Sequence, residues 1–282
     1  MLILAHSGQP PLPHDLWTAW NLSIPLVLGL VVTAWLYVRG LRFAGRRTEA
    51  DIRRASFFAV ALLMLAVALI SPLDALSEAL ASAHMVQHVL LILVAAPLFV
   101  LSAPFATLLR GTPSSLHRTL GSWRGRLSQT LRRLPMMRNA ATLWLLATGV
   151  LWFWHAALPY EAALNNELIH IAEHITFLVS ALLVWNIVIG RSSARVPQGL
   201  GAMLVFAMAL QSGFLSLLLT FARTPWYSSY ATTTQAWGLE PLADQQLAGV
   251  IMWIPAGLIY LGVALALFLS WIRSSEPEDI PA

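Results

Sequence analysis

The chain has 282 residues, of which 58% are hydrophobic and only 11% charged, and its formal net charge is +4. Because the apolar residues come in long blocks typical of membrane-spanning helices, an ordinary water-soluble enzyme of this size is excluded. All 17 basic residues are arginines and cysteine is absent, which excludes Schiff-base chemistry and with it a retinal protein, as well as disulfides, thiolate metal sites and iron–sulfur clusters.

Seven apolar segments are long enough to cross a hydrocarbon core of about 30 Å, which takes about 20 helical residues. We therefore predict an all-α, polytopic membrane protein in which residues 1–282 form a single domain of seven transmembrane helices, and in which residues 222–246 are the longest outer loop. The predicted spans, in chain order, are 22–38, 56–71, 85–109, 140–157, 168–189, 200–221 and 247–272.

The arginines predict the orientation of these spans. Sixteen of the seventeen follow spans one, three, five and seven, and Arg223 alone lies in the other set of loops. By the positive-inside rule the N-terminus lies outside and the C-terminus is cytoplasmic, as an odd number of spans requires. The sequence pI of about 10.1 therefore reflects topology, and a nucleic-acid role has no support.

Residues 112–139, between spans three and four, repeat apolar side chains at helical spacing, with arginines on the other faces. This pattern predicts a cytoplasmic amphipathic helix on the inner leaflet. A role as an anchor for the adjoining spans is favoured over a docking site for a partner. The apolar positions are Leu116, Leu120, Trp123, Leu127, Leu131 and Leu134.

The histidines fall mainly near the predicted outer face. His84 and His88 open the third span, and His170 and His174 open the fifth; each pair has i, i+4 spacing, which places two imidazoles on one helix face. If the two spans face each other, four imidazoles converge, and His155 reaches a similar depth from the fourth span. This arrangement favours a metal site over separate interfacial histidines.

Carboxylates and thioethers accompany the histidines. Asp74, Glu173 and Asp244 are the best candidates for orienting a ligating imidazole through its second nitrogen. Met85 and Met252 are candidate thioether ligands, although packing roles are favoured for them. Imidazole with optional thioether favours copper or zinc over calcium or magnesium.

A series of motifs resembles the multi-span CtaG family, whose members are membrane assembly factors for cytochrome c oxidase of the caa type. The resemblance covers roughly residues 71–270 and is most specific in the run from His84 to Leu91 with its downstream prolines. The matching pieces are His84-Met85-Val86-Gln87-His88-Val89-Leu90-Leu91, Ala96-Pro97-Leu98, Pro104, Trp154-His155, His170, His174, Asp244-Gln245, Ala248-Gly249 and Met252-Trp253.

The resemblance implies a helper that is required for an active oxidase without being a permanent subunit, with a suspected role in copper delivery to the binuclear centre of the catalytic subunit. It carries metal-binding roles onto the five histidines and Asp244. The complete predicted metal site is His84, His88, His155, His170, His174 and Asp244, supported by Asp74, Glu173, Met85 and Met252.

We therefore expect a non-enzymatic assembly factor of the bacterial inner membrane. It would bind copper at the outer face and pass it to the oxidase catalytic subunit. A periplasmic copper donor and membrane lipids are further expected partners. Two alternatives remain open from the sequence: a redox protein with a b-type haem between facing histidines, and a copper transporter.

Overall fold

The computed structural model describes residues 10–43, 48–116, 139–191 and 195–275, together with a few positions between 119 and 126. Within these residues all regular structure is helical. The main helices are α1 (Ile24–Arg42), α2 (Glu49–Leu69), α3 (Pro72–Ala79), α4 (Ala81–Val89), α5 (Ala96–Ser102), α6 (Phe105–Gly111), α7 (Ala140–His155), α8 (Ala157–Asn165), α9 (Glu167–Val188), α10 (Gln198–Thr220) and α11 (Pro241–Ser275). A π-helical turn, Leu90–Ala95, joins α4 to α5, and short 3-10 helices lie at Leu16–Thr18, Ser228–Tyr230 and Thr234–Trp237.

Six helical segments of the described chain are long and apolar enough to cross a membrane. A seventh crossing is present if α7 and α8, which meet at an angle of 70°, form one broken span. The prediction of an all-α, multi-pass membrane protein is therefore confirmed, with six or seven spans. The orientation stays a prediction, and the amphipathic helix expected at residues 112–139 lies mostly outside the described residues.

The third span differs from its predicted bounds of 85–109 at both ends. It begins at Ala81 and ends at Ser102, where Ala103 adopts a left-handed conformation (φ 43°) and Pro104 starts the separate helix α6. The apolar run continues through this break, so hydropathy alone could not detect it. Pro104 was the only local signal, because the residue before a proline is biased away from helix.

The π-helical turn of this span is stabilised from a neighbouring helix. In a π-turn each N–H bonds the carbonyl five residues earlier, and Pro97 has no N–H to offer to Ile92. The indole of Trp185 on α9 donates instead to the Ile92 carbonyl oxygen at 2.9 Å. This bond fixes the third span against α9, the two segments that carry the paired histidines.

Two glycines allow a close approach of α1 and α6. A Cβ at Gly40 of α1 would collide with the backbone carbonyl of Thr107, and one at Gly111 of α6 would collide with that of Leu36. The two backbones therefore touch directly, as small residues permit inside membranes.

Basic and histidine residues occupy opposite helix ends. Six of the described arginines lie in the last turns of α1, α6 and α11 or near the start of α2: Arg39, Arg42, Arg53, Arg54, Arg110 and Arg273. The paired histidines lie near the start of the third span, which begins with α4, and near the start of α9, and His155 ends α7. The loop expected at residues 222–246 also belongs to the histidine end and stops at residue 240, because α11 begins at Pro241.

Candidate metal centre

Three helices bring the five histidines into one buried cluster. The His84 ring centroid lies 5.4 Å from that of His170 and 6.2 Å from that of His174, so α4 and α9 face each other. His88 lies 5.7 Å from His174 and 5.9 Å from His155 by the same measure. The cluster thus contains all five histidines of the predicted site.

Four of the described side chains meet closely enough to share one metal ion. His84, His170, Glu173 and His174 each offer a ligand atom, and these atoms lie within 4.8 Å of one another. We call these four residues the His/Glu group. Glu173 was expected to orient an imidazole; the structure places its carboxylate inside the group, one turn from His170 and directly before His174.

Five buried polar atoms of the His/Glu group have no hydrogen-bond partner among the described residues. They are Nε2 of His84, His170 and His174 and both carboxylate oxygens of Glu173. His84 Nε2 lies 3.5 Å from Glu173 Oε2. An unpaired buried carboxylate is costly, and a cation at this position would satisfy it together with the imidazole nitrogens. The residues present therefore fit a metal ion.

Two tyrosines of the loop between α10 and α11 support the histidines. The Tyr230 hydroxyl donates to the Ser77 carbonyl oxygen at 2.8 Å and lies 3.4 Å from His84 Nδ1. The Tyr230 oxygen can therefore accept a hydrogen bond from Nδ1–H, which leaves the lone pair of a neutral His84 ring on Nε2. Tyr227 donates to the His155 carbonyl oxygen at 2.9 Å. Burial raises the pKa of both phenols, which keeps them protonated.

His88 and His155 lie beside the His/Glu group. His88 Nε2 is 3.5 Å from Glu173 Oε1. His155 Nδ1 donates to the Leu151 carbonyl oxygen at 2.7 Å, so its lone pair is on Nε2, which has no partner among the described residues. A cavity of about 30 Å³ next to these two rings is also lined by Met85 and Met252.

Asp244 and Asp74 have polar partners other than imidazole. The Asp244 carboxylate accepts from the N–H groups of Ala81 at 2.6 Å and Ser82 at 3.3 Å, so it caps α4 from α11. Asp74 accepts from the Gln87 amide at 2.8 Å. Neither carboxylate belongs to the His/Glu group. Backbone N–H groups of α4 hold Asp244, and the Gln87 amide holds Asp74. Both instead position the helix that carries His84 and His88.

The space around the histidines does not suit a haem. The adjoining cavity measures about 30 Å³, whereas pockets for organic ligands and cofactors occupy about 300–1,000 Å³. A groove of about 980 Å³ lies elsewhere, between α1, α2, α5, α6 and α9, and no histidine lines it. The haem alternative therefore finds no support in the described part of the chain.

One of three comparisons with known proteins identifies the family of the chain. No curated protein and no solved structure matches the chain. A family model described as "Cytochrome c oxidase caa3 assembly factor" matches residues 35–274 and so includes every histidine of the cluster and every helix from the end of α1 to α11. The match also extends the resemblance seen at residues 71–270 towards the N-terminus. Because the family model matches most of the chain, the protein belongs to the cytochrome c oxidase caa3 assembly factor family, Caa3_CtaG.

Proposed function

We propose that this assembly factor binds copper at the outer face of the membrane and passes it to the catalytic subunit of cytochrome c oxidase. The observation that carries the proposal is the His/Glu group, in which three imidazoles and one carboxylate converge with unpaired buried ligand atoms. In this proposal copper is cargo for the client oxidase, which is consistent with a helper that is not an enzyme.

The donor set restricts the metal. Imidazole nitrogens suit copper, zinc, iron and nickel, whereas calcium and magnesium require mostly oxygen ligands. The Glu173 carboxylate offsets one positive charge, so the group suits a divalent ion better than four neutral ligands would. Copper is preferred over zinc on the ground of the client, since the family resemblance implies delivery to the copper-containing centre of the oxidase.

The position of the group supports access from one membrane face. It lies near the starts of α4 and α9, at the helix ends opposite those that carry the arginines. If the arginine end is cytoplasmic, as the positive-inside rule predicts, the group faces outward. A periplasmic copper donor and the membrane-embedded catalytic subunit could both reach this end.

Handover is favoured over transport by the composition of the helix bundle. Most buried side chains of the described spans are hydrophobic, and away from the histidine cluster the buried polar ones are mainly serines, such as Ser180, Ser212 and Ser216. An ion crossing the membrane would need polar groups to replace its hydration shell along the way. Uptake of radioactive copper by liposomes containing the protein would support the transporter alternative, and its absence would leave handover.

Glu173→Gln and the double variant His84→Ala/His174→Ala test the proposal. We expect both to lower copper affinity at least tenfold, because each removes ligand atoms of the group, and to lower oxidase activity in the same cells. Elemental analysis of the purified protein and oxidase assays on membranes measure the two effects. Glu167→Gln is the matched control, because Glu167 is an exposed carboxylate on the same helix. It should change neither copper affinity nor oxidase activity.

Two results would contradict the proposal. Unchanged copper affinity in both variants would show that the His/Glu group is not the copper site. Lost copper affinity with normal oxidase activity would separate binding from handover and refute the proposed delivery.

A further inference from the structure

The cavity beside His88 and His155 has the dimensions of a single bound ion. Its volume of about 30 Å³ exceeds the roughly 10–15 Å³ that a cavity needs to hold one water molecule. Its lining includes two thioethers and two imidazoles, from Met85, Met252, His88 and His155, beside the hydroxyl groups of Ser212 and Tyr260. None of its lining residues carries a carboxylate, which distinguishes it from the His/Glu group.

The ligating nitrogens at this cavity are unpaired. Both ring nitrogens of His88 and Nε2 of His155 are buried and have no hydrogen-bond partner among the described residues. Met85 and Met252 are also buried, with 1% and 5% of their surface exposed. Buried imidazole nitrogens in a native structure are normally satisfied, so two rings with unpaired nitrogens that line one cavity together with two thioethers call for a ligand.

We infer that Met85, His88, His155 and Met252 form a second metal site, which takes a soft monovalent cation such as Cu⁺. Thioether sulfur selects Cu⁺ over harder divalent ions. A set of four neutral ligands also supplies no charge to offset a divalent ion, whose burial would therefore cost more than that of a monovalent one. The inference rests on the proposed function only for the choice of copper as the natural soft cation.

His88 connects the two sites. Its Nε2 lies 3.5 Å from the Glu173 carboxylate of the His/Glu group, and its ring also lines the cavity with the thioethers. The ring centroid of His88 is 4.4 Å from that of His84 and 5.9 Å from that of His155. His88 therefore lies between the two sites and borders both.

Silver and zinc distinguish the two sites in the purified full-length chain. Ag⁺ is a redox-inert soft cation that stands in for Cu⁺, and Zn²⁺ is the divalent probe. We expect wild-type protein loaded with Zn²⁺ to bind one further Ag⁺. The double variant Met85→Leu/Met252→Leu should lower this Ag⁺ affinity at least tenfold and change Zn²⁺ affinity less than twofold. Met208→Leu, a buried methionine of the main hydrophobic core, is the matched control.

X-ray absorption at the silver edge provides a second measurement. Wild-type protein should show sulfur scattering around Ag⁺, and the double variant should not. Leucine keeps the approximate volume of methionine, so a folded variant is expected, and its Zn²⁺ binding verifies this directly. Unchanged Ag⁺ affinity, absence of sulfur around Ag⁺, or joint loss of Ag⁺ and Zn²⁺ in the double variant would overturn the second site.

Glu173→Gln separates this inference from the proposed function. It should weaken Zn²⁺ binding and leave the Ag⁺ site intact. If Glu173→Gln leaves copper and zinc affinity unchanged while the methionine variant loses Ag⁺, the proposed role of the His/Glu group fails and the second site stands. If Glu173→Gln behaves as expected and the methionine variant retains Ag⁺, the second site alone fails.

Discussion

Glu78 on α3 is a partly buried carboxylate outside the membrane-spanning helices, at the histidine end of the bundle. Burial, together with the nearby carboxylates of Asp74 and Glu167, raises its pKa from 4.5 to about 7. The folded state therefore holds a proton on Glu78 more tightly than the unfolded state does. The resulting contribution to stability is fully present below pH 4.5 and is lost as the pH rises through about 7.

Glu78→Gln should remove this pH dependence, because glutamine mimics the protonated side chain. We expect the variant and the wild type to unfold with equal free energy near pH 4.5 and the variant to be more stable by roughly 2 kcal/mol at pH 8, after allowance for partial exposure. Thermal unfolding in detergent across this range measures the difference. Glu240→Gln, at an exposed carboxylate, should show no such trend; an equal trend there would point to general charge effects.

Residue spacing predicted the histidines of the site better than its other members. Two i, i+4 pairs and His155 were visible in the sequence and meet in the structure. Glu173 was recognised as relevant, but its carboxylate could not be distinguished as ligand or support without the packing of α4 against α9. Tyr227 and Tyr230 carried no detectable signal, because they come from an irregular loop whose contacts depend on the whole fold.

Among the helices, α4 depends on a cap supplied by a distant part of the chain. Leu80 begins the helix without a side-chain cap of its own, and Asp244 of α11 accepts the N–H groups of Ala81 and Ser82 instead. These donors are buried, so their loss costs more than fraying of an exposed helix end. The start of α4, and with it His84, is therefore positioned by α11.

Asp244→Ala should lower the free energy of unfolding by about 2–3 kcal/mol, since it leaves two buried N–H groups unpaired. It should also weaken metal binding by moving His84. Asp244→Asn keeps one acceptor oxygen and should have a smaller effect on both. Asn139→Ala, which removes the exposed cap of α7, is the control: it should cost about 1 kcal/mol and leave metal affinity unchanged. Full metal affinity in Asp244→Ala would contradict the positioning role.

Hydropathy predicted the existence of the spans and could not predict their irregularities. The break at Ala103, the π-turn before α5 and the 70° bend after α7 all occur within or beside apolar runs. The predicted seventh span begins at residue 247, whereas α11 begins at Pro241, because polar residues occupy the first turns of this helix. Asp244 and Gln245 are polar residues typical of a loop, yet the Asp244 carboxylate accepts from N–H groups of α4 and the Gln245 amide oxygen accepts from the Trp226 N–H.

At the scale of the whole molecule, metal binding should contribute to stability, because a ligand that binds only the folded state stabilises it by mass action. At a metal concentration of 100 times Kd the gain is about 2.7 kcal/mol. We expect copper to raise the unfolding midpoint by several degrees and a chelator to reverse this.

Glu173→Gln should alter both the stability without metal and the response to copper. Without metal the variant should be at least as stable as the wild type, because it removes an unpaired buried charge. Added copper should stabilise the variant less than it stabilises the wild type. Differential scanning fluorimetry on both proteins, with and without copper, makes the comparison. A metal-free Glu173→Gln protein that is markedly less stable than the wild type would show that Glu173 has a structural partner.

The π-turn between α4 and α5 has a consequence for how this span could vary. It holds one residue more than an α-helical turn, so it changes the angular phase of the helix by about 100°, the rotation of one residue. His84 and His88 precede the turn and face α9. Pro97 and the other residues of α5 follow the turn, so their angular positions around the helix axis are shifted. A one-residue deletion at Leu90–Ala95 would keep the span hydrophobic and helical, yet it would rotate either the histidines away from α9 or α5 away from the core. The length of this short apolar stretch is therefore as specific as the residues that flank it.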